Sequence, residues 1–191
     1  GRSCHHVYWL VVVWAQFDMK KLVLLFLILV TGCMGGNDMD NKMTVKLETS
    51  EGDIIIELRE DMSITTDNFR KLVEQRFYDG VIFHRVIPNF MIQGGDPEGT
   101  GMGGPGYTIK DEFTSTNRND RGTISMANAG PDTGGSQFFI NTVNNNFLDD
   151  KHPAFGKVVE GMDVVDKISK VQRDNSDKPL EDVKIIKASM I

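Results

Sequence analysis

The sequence has few of the residues that build disulfide frameworks or metal sites. Its only cysteines are Cys4 and Cys33, so cysteine supplies neither a disulfide framework nor a metal site to the rest of the chain. Beyond them lie two histidines, His84 and His152, whose wide separation favours structural or hydrogen-bonding roles over a metal site. We therefore predict that the protein uses no metal and no cofactor.

Positive charge is also scarce. Residues 34–191 hold 18 Lys and Arg against 26 Asp and Glu, a net charge of −8, which argues against nucleic acid as a partner. The chain has 191 residues, of which 40% are hydrophobic and 25% charged. This length and composition predict one globular domain plus an additional segment.

The N-terminal region lacks an apolar run long enough to span a bilayer comfortably, but it has the order of an export signal. Met19 is followed by the cationic pair Lys20-Lys21, apolar residues 22–30, and a small-residue ending. That ending, Val30-Thr31-Gly32-Cys33, resembles a bacterial-type lipobox. The resemblance implies a signal peptide over residues 19–33 and lipidation of Cys33.

This interpretation divides the chain into four parts. We expect residues 1–18 to lie outside the native product, residues 34–42 to form a short tether, and residues 43–191 to form the domain. The protein would then be an exported lipoprotein, anchored in the membrane on its periplasmic or extracellular side. One alternative is a signal anchor without lipidation, and another is a soluble cytoplasmic protein that does not use the N-terminal segment.

From residue 43 the hydrophobic pattern predicts short strands and two helices. Residues 45–47 and 54–58 alternate around a turn at residues 51–53, as in a hairpin. Thr65 or Thr66 is the predicted N-cap of the first helix. Further on we predict a second helix and two strands, at residues 162–170, 155–159 and 183–188 respectively. This pattern predicts a mostly β fold with a closed antiparallel sheet.

Residues 83–96 are the strongest candidate for the functional site. If two extended segments break at Pro88-Asn89, Arg85 shares a face with Phe83, and Met91 shares one with Gln93. A guanidinium beside apolar side chains suits a partly dry groove for an apolar ligand with a carbonyl or amide nitrogen. The alternative is a surface Arg that flanks two ordinary core strands.

Two later segments bear on this site. The glycine-rich residues 94–106 superficially resemble a phosphate-binding loop, but they lack Gly-Lys-Ser/Thr and a following helix, which argues against nucleotide binding. In residues 137–140, alternation places Gln137 and Phe139 on one face and Phe138 and Ile140 on the other. The first face repeats the composition around Gln93.

Four motifs together resemble the cyclophilin family of peptidyl-prolyl cis-trans isomerases. They are Phe83-His84-Arg85-Val86, Phe90-Met91-Ile92-Gln93-Gly94-Gly95-Asp96, Ser125-Met126-Ala127-Asn128-Ala129-Gly130 and Ser136-Gln137-Phe138-Phe139-Ile140. The resemblance covers residues 43–191, and the compact length is similar to that of small prokaryotic members. It implies a closed eight-stranded antiparallel β-barrel, capped by two α-helices, with the active groove on the outer face.

The resemblance also implies roles for individual residues. Arg85 matches the catalytic arginine, and the walls of the proline pocket match Phe90, Met91, Phe139 and Leu148. The other matched positions bind the substrate backbone or line the groove and its rim, and they are Gln93, Ala127, Asn128, Gln137 and His152. Phe147 stands where many eukaryotic members have the Trp that contributes to cyclosporin binding, and Asp150 where a Gly is usual.

The resemblance implies proline-containing peptides and unfolded proteins as substrates, and we expect a monomer that assists the folding of exported proteins. Because the groove offers no nucleophile and base pair, we expect a non-covalent mechanism in which Arg85 stabilises the twisted prolyl amide. A proline-directed binding module is the alternative, although the presence of Arg85 favours the enzyme. A metal-dependent or hydrolytic enzyme has almost no support in the sequence.

Overall fold

The computed structural model describes residues 43–191, so the predictions on residues 1–42, including lipidation of Cys33, lie outside the described residues. The described region contains eight strands, two α-helices and one 3-10 turn over Asn146–Leu148. In chain order the helices and strands are β1 (Thr44–Thr49), β2 (Gly52–Leu58), α1 (Ser63–Glu74), β3 (Arg85–Ile87), β4 (Met91–Gly94), β5 (Thr123–Met126), β6 (Phe138–Asn141), β7 (Ala154–Glu160), α2 (Met162–Ile168) and β8 (Ile185–Met190).

The eight strands form one antiparallel sheet in the order β3-β4-β6-β5-β7-β2-β1-β8. The mostly β fold with two helices is confirmed, but the predicted closure of the barrel is wrong, because β3 and β8 remain separate edges. Residues 80–83, which precede β3, meet residues 183–185 through a few backbone hydrogen bonds and an isolated bridge of Ile82 with Lys184. The outward N–H of Val86 in β3 instead donates to the carbonyl of Asp177, at 2.8 Å. The loop containing Asp177 therefore takes the place of a closing ladder.

The predicted hairpin is confirmed as β1 and β2. Val45 lies opposite Ile56 and Leu47 opposite Ile54, and all four side chains are fully buried. The alternation of apolar and polar residues thus sets the register, since one face of the hairpin enters the core.

Helix α1 begins earlier than predicted, at Ser63, and neither Thr65 nor Thr66 is its N-cap. Both threonines are buried inside the first turn. The Thr66 hydroxyl donates to the carbonyl of Arg59 at 2.8 Å, and the Thr65 N–H donates to the Glu112 carboxylate at 3.1 Å. The N–H group at the helix start is therefore satisfied by a side chain distant in sequence, which local pattern does not reveal.

The main core is centred on Phe69 of α1. Its ring contacts those of Tyr78, Phe138 and Phe155, with centroid distances of 5.1, 5.5 and 5.1 Å. All four residues are fully buried. Because Phe69 of α1 packs on Phe138 of β6, the core fixes the inner face of a strand whose outer face carries part of the candidate site.

Candidate functional site on the outer face of the sheet

A second apolar cluster lies on the opposite face of the sheet from the main core. Its buried members are Met91, Phe139 and Leu148, with 2%, 5% and 8% of their surfaces exposed. The partly buried residues packed around them are Ile87, Phe90 and Ala127. We call these six residues the outer apolar cluster. The structure thus brings together the four residues predicted to hold proline: Phe90, Met91, Phe139 and Leu148.

Alternation in β4 and β6 produces this arrangement. In β6, Phe138 and Ile140 enter the main core, whereas Phe139 joins the outer apolar cluster, as predicted. In β4, Ile92 faces the core and pairs with Ile140, which leaves Met91 on the outer face. The same two strands therefore build the hydrophobic core and the site, one on each side.

Arg85 is exposed on the edge strand β3 and lies directly opposite Gln93 of β4. Gln93 in turn lies opposite Phe139, so one row of cross-strand neighbours joins the guanidinium side of the site to the outer apolar cluster. Among the residues that the structure describes, the Arg85 side chain has no hydrogen-bond or ion-pair partner. The cation is therefore available to a ligand.

The prediction that Arg85 shares a face with Phe83 is wrong. Phe83 is fully buried in the main core together with Val86. Phe83 precedes β3, and the chain between the two is not regular strand, so strict alternation does not apply there. Arg85 is left on the outer face, with Gln93.

Gln93 and Gln137 connect the site to the loop over residues 94–106, which we call the glycine loop. The Gln93 Nε2 donates to the Gln137 Oε1 at 3.0 Å, and the Gln137 Nε2 donates to the carbonyls of Gly101 and Gly103 at 3.0 and 2.9 Å. Beside these amides lies a cavity of about 480 Å³, which Gln93, Ala127, Asn128 and Gln137 line together with residues of the glycine loop. Four predicted site residues thus face one cavity.

Asn128 and His152 are held by the backbone. The Asn128 Nδ2 donates to the carbonyl of Lys151 at 2.8 Å, and the His152 Nδ1 lies 3.0 Å from the carbonyl oxygen of Met126. The His152 ring meets the Phe139 ring edge to face, with 5.3 Å between centroids. Burial lowers the pKa of His152 below its usual 6.5, although the bond to Met126 opposes this shift, so the ring is neutral at physiological pH.

Phe147 extends the apolar surface outward. Its ring stacks on that of Phe90 with 6.1 Å between centroids and an interplanar angle of 15°, yet 68% of the residue is exposed. Asp150, the other position that departs from the family pattern, is also exposed. An aromatic ring with a free face beside the outer apolar cluster suits contact with a bound chain.

Sequence analysis missed a buried polar network beneath the site. The Asn145 Nδ2 donates to the carbonyl of Phe90 at 2.9 Å and to the Asn141 Oδ1 at 2.8 Å. The Asn141 Nδ2 reaches the Ser125 Oγ at 3.3 Å, and that hydroxyl donates to the Asn119 Oδ1 at 2.7 Å. The clustering of Asn at 141 and 144–146 was the available signal, but Asn usually indicates a surface turn.

Asp96 is the second residue whose role sequence analysis missed. Its carboxylate is fully buried and accepts hydrogen bonds from the N–H groups of Glu98, Thr100 and Gly101, at 2.8, 2.9 and 2.6 Å. Burial raises the pKa of Asp96, but the N–H groups of Glu98, Gly103, Gly101 and Thr100 outweigh it and leave the pKa below the usual 3.8. Asp96 is therefore a structural anion that closes the glycine loop.

Over residues 43–191, no group of three or more His, Cys, Asp or Glu residues is placed to hold a metal ion. Within the same residues, none of the helices has the length and apolar character needed to cross a membrane.

The outer apolar cluster lies beside a row of amides and an arginine that has no partner among residues 43–191, an arrangement that suits a peptide-binding groove on a β-sheet. A family model described as cyclophilin type peptidyl-prolyl cis-trans isomerase/CLD matches residues 44–190. Peptidyl-prolyl cis-trans isomerase ppi1 of Schizosaccharomyces pombe is 50% identical over 149 residues, which are 75% of this chain and 96% of the yeast protein. Human peptidyl-prolyl cis-trans isomerase-like 1 is 46% identical over 149 residues, covering 75% of this chain and 90% of the human protein.

A solved structure agrees with these sequence matches. The cyclophilin type peptidyl-prolyl cis-trans isomerase of Cryptosporidium parvum superposes with a TM-score of 0.76 at 34% identity, covering 78% of this chain and 98% of that protein. The chain belongs to the cyclophilin type peptidyl-prolyl cis-trans isomerase family. It is an isomerase enzyme, as predicted. The relatives named here are eukaryotic, and the likeness to small prokaryotic members stays a prediction.

Proposed function

We propose that the groove catalyses rotation about X-Pro peptide bonds by the non-covalent mechanism predicted from the sequence. In this proposal the proline ring occupies the outer apolar cluster, while Gln93 and the backbone of Asn128 hold the flanking peptide. The C. parvum relative has also been solved in the presence of the dipeptide ala-pro, with a TM-score of 0.75 to this chain, which supports proline-containing peptides and unfolded proteins as substrates. The enzyme acts as a monomer.

The guanidinium of Arg85, which has no partner among the described residues, is the observation that carries the mechanism. Rotation about a peptide bond has a barrier of about 18–20 kcal/mol because the C–N bond is conjugated. As the bond twists, the prolyl nitrogen becomes pyramidal and gains a lone pair that Arg85 hydrogen-bonds. Because this bond forms only in the twisted state, it lowers the barrier without tightening the ground state.

Arg85 supplies part of the acceleration. A hydrogen bond to a charged group contributes about 1.5–3 kcal/mol, or about 10- to 150-fold in rate. The rest comes from the outer apolar cluster, which excludes water that would otherwise stabilise the planar amide. Because Met91, Phe139 and Leu148 pack together as one buried cluster, this dry surface is preformed.

The test is the isomerisation rate of an Ala-Pro peptide with the purified protein and three variants. We expect Arg85→Ala to lower kcat/KM by about tenfold or more, and Arg85→Lys to restore only part of it, because Lys lacks the planar donor pair. Arg70→Ala is the matched control, since Arg70 is an exposed cation paired with Glu74 on the same helix at 2.7 Å. It should keep wild-type activity.

The result distinguishes two functions. Equal kcat/KM for wild type and Arg85→Ala, with both proteins folded, would refute the role of Arg85. Peptide binding without acceleration in the wild type would instead favour a proline-directed binding module, in which the same groove holds peptides as a chaperone surface.

We further propose that the enzyme assists the folding of exported proteins as a membrane-anchored lipoprotein on the periplasmic or extracellular side. Residues 19–33 are the signal peptide, Cys33 carries the lipid, and residues 34–42 tether the isomerase domain of residues 43–191. Mass spectrometry of the native N-terminus should show a lipidated Cys33, and Cys33→Ser should release the protein from membranes. A native chain that retains residues 22–30 would contradict this.

A further inference from the structure

His84, the neighbour of Arg85, is the least satisfied polar residue near the site. Only 6% of its surface is exposed, and neither ring nitrogen has a hydrogen-bond partner among the described residues. Buried polar groups are almost always hydrogen-bonded, so an unpaired imidazole calls for an explanation. The proposed mechanism gives His84 no role.

The ring lies beneath the glycine loop. A Cβ atom on Gly101 would lie 3.6 Å from the His84 Cδ2 and 3.7 Å from the His84 Nε2, so the ring supports the backbone at that residue. Both backbone groups of Gly101 are also hydrogen-bonded. Its N–H donates to Asp96, and its carbonyl accepts from the Gln137 Nε2. Gly101 therefore links His84 to Gln137, and Gln137 accepts a hydrogen bond from Gln93 in the groove.

Three charged groups act electrostatically on this ring. Arg85 of β3 and Lys178 of the loop before β8 oppose a positive charge on His84, whereas Asp96 of the glycine loop favours one. The Asp96 oxygens already accept hydrogen bonds from the loop N–H groups. Burial is the largest effect, and it lowers the pKa of His84 below the usual 6.5. The ring is therefore uncharged at neutral pH.

We propose that His84 is a positioning residue for the isomerase reaction, whose uncharged ring holds the glycine loop, through Gly101, against Gln137 of the groove. A protonated ring has two N–H donors and no acceptor within its burial site, so it draws water and displaces the loop. Gln137 then loses its acceptors on Gly101 and Gly103, and peptide binding weakens. The inference rests on the proposed function of the groove.

The test is the pH profile of KM and kcat for an Ala-Pro peptide, from about pH 5 to pH 8, with the full-length protein. In wild type we expect KM to rise by about threefold or more as the pH falls below 6.5, while kcat changes less, since the loop acts on binding. His84→Phe keeps an uncharged ring and should remove most of that rise. An unchanged acid-side profile in His84→Phe would overturn the proposal.

A second measurement needs neither activity nor a variant. In NMR spectra of the wild-type protein, the His84 ring signals and the Gly101 amide signal should titrate with one midpoint below pH 6.5. A Gly101 amide that stays fixed while the His84 ring titrates would overturn the coupling. Absence of isomerase activity at neutral pH would instead refute the proposed function, so the two failures are distinguishable.

Discussion

Removal of the Asp96 carboxylate should destabilise the protein and its groove together. Each hydrogen bond to a charged acceptor contributes about 1.5–3 kcal/mol, and Asp96 accepts three short bonds from loop N–H groups. The loop is partly exposed, so water replaces some of these hydrogen bonds in Asp96→Ala. We therefore expect a loss of about 3 kcal/mol in the free energy of unfolding, and about half as much for Asp96→Asn, which keeps one acceptor oxygen.

Glu98→Gln is the matched control. It removes one carboxylate charge from the same loop, but the Glu98 side chain is exposed and makes no hydrogen bond in the described region. Urea unfolding should be followed by far-ultraviolet circular dichroism, because residues 43–191 contain no tryptophan. If the free energies of unfolding of Asp96→Ala and Glu98→Gln agree within about 0.5 kcal/mol, the structural role of Asp96 is refuted.

The pH dependence provides an independent check on the same residue. Because the pKa of Asp96 is lowered in the folded state, its stabilisation is complete above the usual value of 3.8 and is lost as the pH falls through the lowered pKa. The difference in stability between wild type and Asp96→Asn should therefore be constant near neutral pH and shrink in strong acid. A difference that shrinks between pH 7 and pH 6 would point to another group.

Three other predictions follow from the site. Asn145→Ala should lower the free energy of unfolding by about 1–3 kcal/mol, because the buried Asn141 Oδ1 loses its donor and the Phe90 carbonyl keeps only the Thr142 N–H. Urea unfolding measures this loss, and a neutral effect would contradict the network. Phe147→Trp should leave the free energy of unfolding within about 0.5 kcal/mol of wild type, because the residue is exposed. The variant should bind cyclosporin more tightly, and its new fluorophore should respond to proline peptides. Fluorescence titration with each ligand measures both effects. Burial lowers the pKa of both His84 and His152 in the folded state. The contribution of each ring to stability is therefore complete above pH 6.5 and is lost as the pH falls through the lowered pKa. The free energy of unfolding should accordingly be smaller at pH 5.5 than at pH 7.

The sequence predicted the strands that bury one face better than the features that depend on distant contacts. Alternation in residues 137–140 correctly placed Phe138 and Phe139 on opposite faces of the sheet, because side chains in a strand alternate strictly. The same rule failed at Phe83, where the backbone is not regular. Closure of the sheet could not be predicted because it depends on whether Val86 pairs with β8 or with Asp177, almost a hundred residues away.

The candidate site was predicted in its exposed and apolar parts but not in its supports. Motif resemblance singled out Arg85, Gln93 and the four residues expected to hold proline, and the structure brings these side chains together on one face. It did not reveal Asn145, Asp96 or the contact of His84 with Gly101. Those residues act through backbone groups brought near by folding, and a single polar residue in a sequence gives no sign of which carbonyl or N–H it will meet.

Placing the core and the groove on opposite sides of β4 and β6 restricts how this enzyme can change over time. Inserting or deleting one residue in β6 would exchange the faces of Phe138 and Phe139 and so disrupt the main core and the outer apolar cluster at once. The strands therefore tolerate substitutions, but not insertions or deletions that shift this alternation.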